Sequence, residues 1–183
     1  GKDEEHNAVI KERRNGQGAE VAGVTVEGKV AYLSLVQLQA GVTWQKSHYT
    51  RPEKWSKDSS VPAEKRIFRT PDWYGYFTAT YSPVKPLNIA LSGTYTGSMI
   101  VQHMKGYIPK DIAVTTPDFF DMNLKISYDF SLYKFITLQL NAGIQNIFNA
   151  YQRDFDQGKE RDSGYIYGPS MPRSYFAGAK LMF

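Results

Sequence analysis

Cysteine is absent from the 183-residue chain, which excludes a disulfide framework and every Cys-based metal site while leaving the compartment open. Histidine is nearly so: His6, His48 and His103 are scattered. None is followed by a ligand-type residue two to four positions on, so neither a zinc site nor a Ser–His catalytic pair is expected, and the chain does not read as an enzyme. No initiator Met and no basic segment followed by an apolar one opens the chain. The expectation is therefore either a removed export signal or a piece of a longer chain. Charge of one sign is also scarce. The net charge is +4, and only Lys11–Arg14 forms a basic run. That run lacks interleaved aromatics and reads as a solvated loop, so no nucleic-acid partner is expected. One long stretch without formal charge exists, Pro86–Met104, long enough for a membrane helix. It does not read as one, because polar residues recur at every second position, a strand period. A helical period is found nowhere in the chain.

What the chain has in quantity is aromatic residues, 14% of the total, with 13 Tyr and 10 Phe. They sit within period-two alternation, which puts successive side chains on opposite faces of a strand. Seven segments alternate. Ala22, Val24, Val26, Gly28 and Val30 oppose Thr25, Glu27 and Lys29 in the first, Ala19–Ala31. In the second, Val36, Leu38, Ala40, Val42 and Trp44 oppose Gln37, Gln39, Thr43 and Gln45. Trp73–Tyr81, Leu87–Gln102, Phe120–Phe130, Ile136–Ile144 and Arg173–Phe183 follow the same rule. Residues 1–18 read as a loop or the tail of a preceding strand, with Asn15–Gly18 as a turn signal and Ala8 and Ile10 as strand-tip positions.

Connections alternate between short and long. Short turns come near Tyr32–Ser34, Ser82–Pro86 and Ser131–Lys134; long polar loops cover Ser47–Pro71, Lys105–Asp118 and Asn149–Pro172. The apolar face carries no Asp, Glu, Lys or Arg in any of these strands. Its ends are aromatic: Trp44, Trp73, Phe120 and Tyr175 near the long loops, Tyr32, Tyr81, Phe130 and Phe183 near the short turns. An aliphatic band between two aromatic girdles, on strands of about ten residues, fits a bilayer. The fold class expected is all-β, an antiparallel transmembrane β-barrel segment of about seven meandering strands. The alternative is a soluble β-barrel or sandwich with the same alternation turned inside out, acting as a binding protein.

Four motifs sharpen the expectation. Gly143-Ile144-Gln145-Asn146-Ile147-Phe148-Asn149, followed by Tyr151, resembles the penultimate strand of bacterial TonB-dependent outer-membrane receptors. Gly168-Pro169, then Pro172-Arg173, opening a strand that ends in Phe183, resembles their closing strand. Gly23–Gly28 and Arg69-Thr70-Pro71 fit earlier strands, with Thr25 departing from the commoner acid. The resemblance covers residues 19–183 and implies the last third of a plugged barrel of about 22 strands. It implies a place in the bacterial outer membrane, with outer-membrane lipid, a plug domain, the TonB complex and the barrel-assembly machinery as partners, Phe183 being part of the assembly signal. The implied function is import of a scarce nutrient of the ferric siderophore, haem or cobalamin class. The alternative in the same superfamily is glycan import, as in relatives from the Bacteroidetes that work with a lipoprotein.

In such receptors, loops and the upper inner wall contact the ligand. Strand direction then places Gln45, Tyr74, Tyr76, Gln102, Asp121, Asn123 and Gln145 inward near the outside, where they face either the ligand or the plug. Trp55, Tyr107, Tyr151, Tyr165 and Tyr167 are loop aromatics able to stack on a catechol or a sugar ring. No cofactor is implied. Asp154–Asp162 faintly resembles a calcium loop but lacks the full ligand pattern, and a solvated acidic–basic loop is the simpler expectation.

Overall fold

The computed structural model describes residues 18–183 together with the backbone of two short strands, β1 (Lys2–Asp3) and β2 (Ala8–Val9), which pair antiparallel. His6, Ile10, the Lys11–Arg14 run and most of the Asn15–Gly18 turn lie outside the described residues. The remaining strands are β3 (Ala19–Tyr32), β4 (Val36–Glu53), β5 (Glu64–Arg66), β6 (Trp73–Tyr81), β7 (Leu87–Thr96), β8 (Ile100–His103), β9 (Ile112–Thr115), β10 (Phe119–Tyr133), β11 (Ile136–Gln145) and β12 (Ser174–Met182). The fold is all-β.

Seven of these strands form one antiparallel meander in the order β3-β4-β6-β7-β10-β11-β12, with β5 added to β4. Neighbours in space are neighbours in sequence, apart from the short strands that the long loops contain. Among the described residues the two outermost strands, β3 and β12, each keep one unpaired edge.

The register tests the face assignments residue by residue. Val24 pairs with Trp44 and Trp44 with Trp73; Leu38 pairs with Ala79, Ala79 with Leu91, Leu91 with Leu124 and Leu124 with Ile144. Each apolar residue thus meets an apolar residue across all seven strands. Thr25, Thr43, Tyr74 and Thr96 make a matching row on the polar face. Between the aromatic rows the apolar face is free of charge and stays exposed, Val30 at 65% and Leu181 at 54%. Among the described residues no element covers it. The buried hydrophobic residues lie elsewhere: Val61, Ile100, Val101, Phe119 and Tyr165 all belong to the long-loop end.

Close approach between strands is set by rings lying on glycines. Tyr76 pairs with Gly41, Phe77 with Gly93 and Phe176 with Gly143. A side chain begun on Gly41 would come within 2.7 Å of the Tyr76 ring, and one on Gly93 or Gly143 would run into Phe77 or Phe176.

Apart from β10, which continues to Tyr133 through most of the turn expected at Ser131–Lys134, two strand limits differ from the alternation. The loop expected over Ser47–Pro71 is partly strand, because β4 continues to Glu53 and its ladder with β3 runs unbroken to Tyr49 opposite Ala19. The side chains here are polar on both faces, so the backbone pairs without an apolar pattern to announce it. The fourth alternating segment does not run to Gln102. It ends at Thr96, where Gly97 N donates to Trp73 O at 2.8 Å. The chain then leaves the sheet, and β8 pairs with β9 in a separate hairpin. Met99 and Val101 therefore do not belong to the outward row; Val101 is fully buried.

Candidate functional site

The three long connections, residues 54–72, 97–118 and 146–173, all emerge at the same end of the sheet and are bonded to one another. Arg69 is the main clasp. It sits at φ 59°, donates its backbone N–H to Ile100 O at 2.8 Å, and reaches across with its guanidinium to Ile166 O at 2.7 Å and to Gly164 O. Charged donors on carbonyls are among the stronger hydrogen bonds. Ser56 donates to Asp111 at 2.5 Å, and Asp111 also accepts the Lys105 N–H at 2.6 Å. The Ser56 hydroxyl and then the Lys105 N–H hold the Asp111 carboxyl below its ordinary range. The second and third loops meet where Asp162 accepts Met104 N–H and Gly164 N–H, both at 2.8 Å.

A buried knot lies beneath these contacts. His103, 6% exposed, stands with Nε2 2.9 Å from both oxygens of Asp156, and its ring lies flat on Tyr165 at 3.7 Å. Tyr165 donates to one oxygen of Asp154 at 2.7 Å and Tyr167 to the other at 2.5 Å. Burial works to raise the Asp154 carboxyl, but the Tyr167 and Tyr165 hydroxyls outweigh it and hold the group below its ordinary value. Conversely burial, then the bond to Asp154, pushes the Tyr167 hydroxyl up to about 12 and Tyr165 higher still. Gln152, 1% exposed, donates to Tyr165 O at 3.0 Å and accepts Tyr167 N–H at 2.9 Å.

The Asn-Ile-Phe-Asn segment fixes the base of the third loop. Asn146 and Asn149 adopt φ of 52° and 55°, a region Asn tolerates better than most residues. Buried Asn146 ties both loop ends, donating to Ala150 O and Met171 O at 3.0 Å and accepting Ala150 N–H at 2.9 Å. Asn149 accepts Arg173 N–H at 3.0 Å, and the Arg173 guanidinium donates to Ile147 O at 3.2 Å. Phe148 turns outward and packs 5.7 Å from Phe120, extending the aromatic row.

Of the residues expected to face a ligand, four converge. Asp121, Asn123 and Gln145 stand on the polar sheet face beside the third loop, and Tyr167 of that loop lines a cavity with Asp121. Asp121 lies between a cavity of about 230 Å³ shared with Thr94 and Tyr167 and one of about 340 Å³ shared with Asn123 and Gln145. Its Oδ1 is buried with no hydrogen-bond partner, the one such side-chain atom among the described residues. Asn123 accepts Asn146 N–H at 2.9 Å, and Gln145 accepts from Ser174 at 3.3 Å. Tyr76 shares the Asp121 row through Thr94 and bonds Gln39 at 3.3 Å and Glu27 at 3.4 Å. Tyr74 is exposed on the same face.

The other positions are placed differently. Gln45 donates to Pro71 O at 3.0 Å and so secures the start of β6. Trp55 packs edge-on to Phe68 at 5.2 Å and donates to Pro62 O at 3.1 Å. Gln102 is not on the inner wall, because β8 has left the sheet for the hairpin. Tyr165 is buried at 3% with its hydroxyl on Asp154, so its ring is not offered to a ligand. Tyr107 is exposed, Tyr151 lies under the Arg153 guanidinium at 5.1 Å, and Phe183 is 94% exposed. The Asp154–Asp162 segment is not simply solvated: Asp154, Asp156 and Asp162 each accept hydrogen bonds from protein donors. Among the described residues no three His, Asp or Glu gather as a metal site. Arg69, His103 and Asp156 were not recognisable as a site from sequence, since their partners lie 53 to 97 positions away.

No family model matches the chain, and no curated protein matches it in sequence. Among solved structures it is similar to a chain in the structure of the FpvAI–pyocin S2 complex, with a TM-score of 0.59 and 15% identity. The match covers 90% of this chain and 19% of that one, so the chain spans about a fifth of that chain's length. At that identity the likeness is one of fold: the antiparallel sheet is similar to part of that chain.

Proposed function

We propose that this chain is a stretch of wall, with its outer loops, from a TonB-dependent outer-membrane receptor that imports a scarce nutrient of the ferric siderophore, haem or cobalamin class. The observation that carries the reading is the face register: seven strands align a charge-free apolar surface that no other element among the described residues covers. A water-soluble protein hides such a surface, whereas a barrel offers it to lipid. Fold likeness to part of a receptor barrel supports the same reading, as do three long loops gathered at one end. On this view the unpaired edges of β3 and β12 join further strands, because an open edge is not tolerated in lipid. The bonded loops form the outer rim, and the Asp121 crevice faces the nutrient or the plug. The reading assigns no catalytic residue.

Cell fractionation tests it. The protein is expected in outer membranes, resistant to carbonate and salt, and deletion of its gene is expected to abolish growth on one limiting nutrient. Recovery in the soluble periplasm would sink the proposal.

A further inference from the structure

Asp121 owes its surroundings to where its neighbours end. On β7 it has a register partner, Thr94. On its other flank the ladder between β10 and β11 begins only at Leu124 opposite Ile144, β11 stops at Gln145, and Asn146 turns into the third loop at φ 52°. The Asp121 side chain therefore stands at a corner, half-buried between sheet and loop. Both the cavity of about 230 Å³ beside Thr94 and the one of about 340 Å³ beside Asn123 reach it.

Asp121 is the one residue of formal charge that lines either cavity. Among the described residues no basic side chain forms an ion pair with it. The Arg173 guanidinium goes to Ile147 O at 3.2 Å, and Lys125 stands four residues along β10, about 14 Å away. Two hydroxyls of the cavity walls donate elsewhere, Tyr167 to Asp154 at 2.5 Å and Ser174 to Gln145 at 3.3 Å. Oδ1 is left buried and without a donor. A carboxylate oxygen out of water and unpaired is costly, and a hydrogen-bonding cation is the partner that offsets most of that cost. An anion is disfavoured: the same inward row, through Thr94, Tyr76 and Gly41, ends in a second acid, Glu27, and holds no base.

The walls narrow the kind of cation. The rings of Phe119 and Tyr167, 6.0 Å apart, line the smaller cavity with Asp121; aromatic rings suit methylene groups and the charge of an onium ion. Calcium would need several more oxygen ligands than one carboxylate offers, and among the described residues no three His, Asp or Glu gather. We propose that the Asp121 crevice binds a primary alkylammonium group of the imported nutrient, the ammonium on Oδ1 and its methylenes against Phe119 and Tyr167. The inference rests on the import reading above and narrows it to nutrients that carry a free amine.

The test uses the full-length protein extracted from membranes in detergent. Its probes are aminopentanol, which carries an ammonium on a short alkyl chain, and pentanediol, which has a hydroxyl in the ammonium's place; each is titrated by ligand-observed NMR. Aminopentanol is expected to bind the wild type about tenfold tighter, the margin of a charge-assisted hydrogen bond over a neutral one. Asp121→Asn keeps the shape, removes the charge and is expected to erase that margin. Asp129→Asn removes the same charge from the same sheet face, eight residues along β10, and is expected to leave the margin intact. Three results overturn the subsite: no margin in the wild type, a margin that survives Asp121→Asn, or equal loss with Asp129→Asn, the sign of general surface charge. Displacement of aminopentanol by calcium at equal concentration would make this a metal site and overturn it too. A protein that inserts in membranes but lacks the margin overturns this inference alone. A protein recovered in the soluble periplasm overturns the import reading, and with it the assignment of the amine to a nutrient.

Discussion

Leu140→Arg and Asn141→Arg place the same charge one residue apart, on opposite faces of β11. Leu140 sits between Tyr128 and Ala179 in the outward row and is 43% exposed. Along β11 the row of Ile144 and Tyr175 marks one aromatic level, and that of Leu138 and Phe130 the other. Leu140 is one step inside the second, about 7 Å along the strand and about 5 Å in depth for a tilt of roughly 40°. Arg at mid-bilayer costs about 2–4 kcal/mol, and near an interface about 0–1. Leu140 lies in the deeper zone, so a cost of about 2–3 kcal/mol is expected, roughly thirty- to two-hundred-fold in the folded population. Asn141 faces Ser127 and Gly178 on the polar side, where an Arg has room and water; a change within about 0.5 kcal/mol is expected. The assay is urea titration of the membrane-inserted protein, read by tryptophan fluorescence and by heat-modifiable migration. Equal midpoints for the two variants, or a lower midpoint for Asn141→Arg, would refute the face assignment and with it the barrel-wall reading.

Arg69→Ala removes two carbonyl contacts from the third loop and is expected to weaken the closed loop arrangement by about 1–3 kcal/mol; proteolysis near Gly164–Ile166 should accelerate while the strands stay protected from hydrogen exchange. The Asp154 knot should respond to pH at both ends. Because its carboxyl is depressed in the folded state, its contribution is present above the unfolded value near 3.8 and fades as pH falls through the folded one. Tyr167 is raised to about 12, so its contribution holds below the unfolded value near 10 and is lost as pH climbs through about 12; exchange rates over residues 151–167 are the readout. Gly143→Val drives a side chain into the Phe176 ring and the Leu124 carbonyl and is expected to cost about 1–3 kcal/mol, seen as a lower yield of heat-modifiable protein.

Alternation alone located the seven wall strands and which face of each is apolar, because a half-buried strand must repeat every two residues. It failed where that cause is missing. The outer end of β4 is polar on both sides, so nothing in Ser47–Glu53 separates strand from loop. At Gly97 the pattern Met99–Val101 still alternates, yet the chain has turned away to bury Ile100 and Val101 in the loops. For the site, the polar row containing Asp121 and Asn123 was legible from parity. The burial of Tyr165 was not, since it depends on His103 and Asp154 meeting it from two other parts of the chain. The Asn-Ile-Phe-Asn motif was visible as a pattern, but its physical work, two left-handed asparagines tying off a loop, needed coordinates.

The rings seated on glycines bear on how such a sheet finds its alignment. A slip of one residue between strands is self-correcting, since it would turn the whole apolar set inward. A slip of two is degenerate: it keeps every side chain on its proper face, and alternation is blind to it. Tyr76 on Gly41, Phe77 on Gly93 and Phe176 on Gly143 lift that degeneracy. Shifted by two, Phe77 would meet Leu91 or Tyr95 and Phe176 would meet Asn141 or Gln145. These pairs act as a key cut into three of the six seams, distinguishing the native alignment from neighbours that hydrophobicity cannot tell apart.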